Sequence, residues 1–132
     1  MSSFIMPDAA TIQKTFVMLY GDGVKVSDDN GSSLKDRHVA TYIRDDDTLA
    51  AVCACDDAFV AYSGAALTMV PSAVAGEMIA KNDFSEMVLD NFHEIMNILS
   101  RLLMSDHTPH LHLGQTLQPQ AASDTVARAE SN

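Results

Sequence analysis

Residues 83–104 read DFSEMVLDNFHEIMNILSRLLM, and the reading of this stretch sets the frame for the rest of the chain. Successive helical residues turn by about 100°, so with Asp90 at zero, Glu94 falls near 40°, Asn97 near −20° and Arg101 near 20°. Val88, Phe92, Ile95, Leu99, Leu102 and Leu103 fall between about 120° and 220°, directly behind that stripe. The spacing predicts one long helix over 83–104, with an apolar side for a core and a narrow polar stripe facing away. Asp83 followed by Glu86 three residues later fits a capping box at its start, with Asp in place of the usual Ser or Thr.

Upstream, Pro71 suits the first turn of a shorter helix that runs to Ala80 and stops at Lys81-Asn82. Three runs with strand character precede it, at 38–44, 49–55 and 59–68, separated by Asp45-Asp46-Asp47 and Asp56-Asp57, breaks of hairpin length. The middle run, LAAVCAC, is apolar on both faces, which places it centrally in an antiparallel meander, with helices on one side and another subunit on the other. Ile12, Phe16, Leu19 and Tyr20 recur at helical spacing behind an Asp8 cap, giving a leading helix that Gly21-Asp22-Gly23 ends. A short strand over 24–27 and an exposed turn over 27–33 follow.

Downstream, His110-Leu111-His112-Leu113 alternates as a final strand should. From Gln120 onward the chain is Ala, Ser and charge, the composition of a disordered tail. The expected fold is therefore two-layer α+β: an antiparallel meander sheet packed against a leading helix, a short helix and a long motif-bearing helix. It forms a single domain over 1–120, with a disordered tail over 121–132.

Composition narrows the functional classes. A length of 132 residues suits one domain with its own core. Eighteen acids against eight Lys and Arg leave a net charge of −10, so a nucleic-acid backbone would be repelled over most of the surface. No run of eighteen apolar residues exists, and Met1-Ser2-Ser3-Phe4 lacks the basic and apolar regions of a secretory signal, so a cytoplasmic location without membrane insertion is expected. Cys53 and Cys55 lie two positions apart on an expected strand, too far apart for an easy disulfide, and read as reduced structural residues.

Within the stripe, Asp90 and Glu94 are like charges one turn apart, and Asn97 is a poor mid-helix residue; a helix selected for stability alone would avoid both. The competing structural account is that any surface helix has a polar face, with acids early, Arg late and Asn97–Arg101 an ordinary i, i+4 pair. Chemically, Glu94 can bind a cation, and Asn97 offers a donor and an acceptor that can hold a water in a chosen orientation. His93 is beside Glu94 in sequence but about 100° round the helix, a neighbour of the site.

The pattern Asp90-x-x-x-Glu94-x-x-Asn97, followed by Pro119 after about twenty residues, resembles the signature of the CheC, CheX and FliY phosphatases of bacterial chemotaxis. The expected element order, over 8–119, also resembles that of a CheX-like chain. The resemblance implies a two-component phosphatase acting on the aspartyl phosphate of a CheY-like response regulator. Asn97 would orient the attacking water and Glu94 would engage the regulator's lysine, with Asp90 and Pro119 supporting the geometry. Mg²⁺ would belong to the regulator, the chain having no cofactor of its own, and a homodimer formed through sheet surface is implied. The chain departs from the family at Arg101, where a small residue, often Gly, is common; a non-catalytic module that binds a regulator or another signalling partner is the alternative.

His107, His110 and His112 gather within six residues, and His110 and His112 would share one strand face, but no Cys is near in sequence and no metal site is assigned. Neither Ser63-Gly64 nor Gly21-Asp22-Gly23 belongs to a nucleophile elbow or a phosphate loop.

Overall fold

A computed structural model of the chain describes residues 4–28 and 36–130. Their order is α1 (Ala9–Tyr20), β1 (His38–Arg44), β2 (Leu49–Cys55), α2 (Asp57–Leu67), α3 (Ser72–Lys81), α4 (Glu86–Leu99), a 3-10 turn (Ser100–Leu103), β3 (Leu111–Leu117) and α5 (Pro119–Glu130). The fold is α+β. One antiparallel sheet is ordered β2-β1-β3, and no described helix is long and apolar enough to cross a membrane.

The leading helix forms as expected, with the Asp8 carboxylate accepting from Thr11 N and Gly21 as its C-cap. The expected third strand, 59–68, is instead α2. Asp56 accepts from Phe59 N at 2.8 Å and is an N-cap, the first half of a helix start and not a hairpin turn. Val60, Ala61, Gly64 and Ala65 are the buried residues of α2, a four-residue recurrence that belongs to a helix. Helix α2 lies between α4 and α3. Gly64 permits the close approach to α4, since a Cβ there would sit 2.7 Å from the Val88 carbonyl oxygen.

The sheet is consequently no meander, and β2 is an edge strand. Its neighbour β1 occupies the centre, with residues 38–42 buried. The two apolar faces of β2 have another cause. Ala40, Tyr42 and Cys53 belong to the main core with Phe92, Ile95 and Met96 of α4. Val39, Val52, Ala54 and Leu117 point the other way and pack on Ala122 and Val126 of α5. Thus 121–130, read from composition as part of a disordered tail, continue a helix that covers part of the second sheet face. Its apolar side is only two small side chains wide, too little to register in a composition rich in Ala, Ser and charge.

The final strand is longer than expected, and its pairing with β1 shifts register between Ala40 and Tyr42. There Thr41 Oγ1 accepts from Gln115 N at 2.8 Å and donates to Gln115 O at 3.3 Å, taking up the groups the irregularity frees. Residues 24–27 form no strand; Val24 and Val26 pack against the core, and Val26 N donates to Gln13 Oε1. Most of the expected turn over 27–33 lies outside the described residues, as do 131–132.

Candidate functional site

Helix α4 starts two residues later than its sequence suggests. Ser85 is the N-cap, its hydroxyl accepting from Val88 N at 3.2 Å, so Asp83 does not cap it. Its buried residues are Val88, Phe92, Ile95 and Met96, and at Ser100 the helix tightens into the 3-10 turn, where Ser100 Oγ donates to Asn97 O at 2.6 Å. Tyr42, on the central strand, donates its hydroxyl to the Met96 carbonyl at 2.8 Å. Burial pushes the Tyr42 phenol far above its ordinary value, with Cys53 and Cys55 adding to the shift, so the hydroxyl stays a donor.

Asp90, Glu94, Asn97 and Arg101 are exposed on the outer side of α4 and its 3-10 extension. Their side chains make no hydrogen bond or ion pair among the described residues. The i, i+4 pairing of Asn97 with Arg101 that would give the stripe a structural purpose is absent among these residues. Neighbouring polar residues behave differently. Asn91 Nδ2 donates to Gly64 O at 2.8 Å and Thr68 Oγ1 at 3.0 Å, fastening α4 to α2. His93 Nδ1 lies 3.2 Å from Thr116 Oγ1 and fastens α4 to β3.

On this one helix, then, Asn91 and His93 are bonded to α2 and β3, whereas the stripe side chains have no partner among the described residues. The bonds of Asn91 and Thr116 were not expected from the sequence; the place of Asn91 on the wheel, about 100° from Asp90 and at the margin of the apolar side, was the available signal. Pro119 lies two residues past the end of β3 and opens α5.

Two other features carry chemistry or space. His110 and His112 do come together, with Asp45 as the third member and without His107. An apolar cavity of about 500 Å³ opens between β2, the 3-10 turn and the segment before α1, lined in part by Phe4, Met6, Ile12, Leu49, Leu99 and Leu102. The Cys53 and Cys55 thiols lie 3.9 Å apart and are free; Cys55 is pushed well up by its hydrogen bond to Cys53 and by burial, which makes it a poor nucleophile.

Searches of family models, curated proteins and solved structures give no match to the chain.

Proposed function

We propose that the outer side of α4 is the working face of a phosphatase for the aspartyl phosphate of a CheY-like response regulator. The observation that carries this reading is the contrast on one helix: the Glu94 and Asn97 side chains are exposed and have no partner among the described residues, while Asn91 and His93 beside them are tied to α2 and β3. In the proposed reaction the Asn97 carboxamide orients a water towards phosphorus. Water adds there, the bond from phosphorus to the regulator's aspartyl oxygen breaks, and inorganic phosphate and a free carboxylate leave. Glu94 pairs with the regulator's lysine, and the regulator supplies Mg²⁺. Little covalent chemistry falls to this chain; its contribution is positioning and charge, which suits phosphoryl transfer.

Arg101 favours a second reading. Its guanidinium stands exposed one turn beyond Asn97, unpaired among the described residues, where it can grip a partner carboxylate bidentately and hold a regulator without hydrolysis. Homodimerisation and a cytoplasmic location belong to the same proposal. With α5 over part of the second sheet face, a dimer would use the edge strands β2 or β3.

The test is phosphate loss from phosphorylated receiver domains of the source organism, with binding followed in parallel. Faster loss with wild type supports the phosphatase. Binding with an unchanged phosphoryl lifetime selects the module, and an Arg101→Gly variant that then gains activity would locate the cause. Absence of binding to every receiver rejects both.

A further inference from the structure

The open end of the second sheet face carries a cluster that the α4 stripe does not use. Strands β1 and β3 pair with Ile43 opposite His112 and Arg44 opposite Leu111, so the same register carried one step further sets Asp45 beside His110. Leu111 is buried in the main core, and side chains alternate along a strand, so His110 and His112 both project to the other side. His110 Nδ1 lies 2.9 Å from Asp45 Oδ1, and the two imidazole rings stack with centroids 6.1 Å apart at 27°. One donor atom from each of Asp45, His110 and His112 lies within 4.8 Å of the other two.

An ordinary surface ion pair explains only part of this. The Asp45 and His110 side chains are 75% and 65% exposed, and a pair so open to water contributes little to stability. It also gives no role to His112, stacked on the same ring.

We infer that Asp45, His110 and His112 form a site for a divalent transition metal of the zinc class, with two imidazoles and one carboxylate as ligands and a further position open to solvent. Metal bonds of about 2.0–2.2 Å place the ligands of a tetrahedral ion roughly 3.4 Å apart. The donor atoms, within 4.8 Å of one another, are therefore about 1.4 Å or less from that spacing, with the two histidines on or beside β3 and Asp45 directly after β1. Imidazole ligands select zinc, copper or nickel, whereas magnesium and calcium prefer all-oxygen sets. The neighbouring Asp46 is engaged elsewhere, accepting from Thr48 N at 3.1 Å and from the Thr48 hydroxyl. A bound ion would clamp the 45–47 turn to the start of β3.

Calorimetric titration of the full chain with Zn²⁺, beside His110→Ala, His112→Ala and Asp45→Asn, tests the assignment. One site is expected in wild type, and each histidine variant should weaken it by about tenfold or more. Zinc should also raise the wild-type melting temperature by mass action and do so less in the variants. Melts without zinc check that the variants fold. Histidine-ring NMR of the wild type reads the site independently of any variant: zinc should shift His110 and His112. Unchanged affinity in both histidine variants, equal binding of Mg²⁺, no binding at all, or shifts at other histidines in their place would each overturn it.

Discussion

The hydroxyl of Tyr42 donates to the backbone carbonyl of Met96 at 2.8 Å, joining the central strand of the sheet to the residue immediately before Asn97. Both side chains are almost fully buried. The bond falls in the last turn of α4, just ahead of the 3-10 turn, and so fixes the height and rotation at which Asn97 is presented. The role proposed for Asn97, orienting one water, would need its backbone held in this way.

Tyr42→Phe removes that bond and little else. The Met96 carbonyl keeps its helical partner, Ser100 N, so the expected loss is about 1 kcal/mol in urea unfolding. Phosphate-release activity should fall by more than this stability loss explains, because Asn97 loses its support. Unchanged activity would separate Tyr42 from the site.

Gly64→Ala should destabilise the chain by about 1–3 kcal/mol, even though Ala is the better helix former by about 1 kcal/mol. The added methyl would meet the Val88 carbonyl oxygen at 2.7 Å and Val88 Cγ1 at 2.9 Å, and backbone cannot yield without parting α2 from α4. A stability equal to or above wild type would contradict this close packing.

Val126→Ala tests α5. Val126 is 6% exposed against Val39 and Ala122, and truncating it should cost about 1–2 kcal/mol. A neutral result would return 121–130 to the disordered tail its composition suggests.

Stability should decline on acidification from about pH 5 to about pH 2. Hydrogen bonds from Thr11 and Thr48 hold the Asp8 and Asp46 carboxyls below the ordinary 3.8. A carboxyl depressed in the folded state stabilises above its unfolded value, and that contribution disappears as pH falls through the folded value. An Asp8→Ala, Asp46→Ala double variant should therefore melt with a shallower pH dependence over this window.

Legibility of the sequence followed the width of each apolar face. Helix α4 is readable because Val88, Phe92 and Ile95 form a broad side opposite charge, and the exposed stripe follows from the same arithmetic. Helix α2 is not, because its buried side includes Ala61, Gly64 and Ala65, which carry little hydrophobic signal, and Asp56-Asp57 serves equally as a turn or a cap. The central place assigned to β2 failed for a related reason. Its second apolar face is covered by Ala122 and Val126, and two small side chains announce no helix. Within the candidate site, exposure of Asp90, Glu94, Asn97 and Arg101 was legible, whereas the anchoring of Asn91 and His93 depends on partners 27 and 23 residues away.

The most direct measurement is the lifetime of the aspartyl phosphate on a receiver domain that binds this chain, with wild type and with Asn97→Ala. Wild type should shorten the lifetime, and Asn97→Ala should abolish the effect while its stability stays within about 0.5 kcal/mol, as befits an exposed residue opposite the core. A wild type that binds the receiver and leaves the lifetime unchanged, or an Asn97→Ala variant as active as wild type, would contradict the proposed phosphatase role.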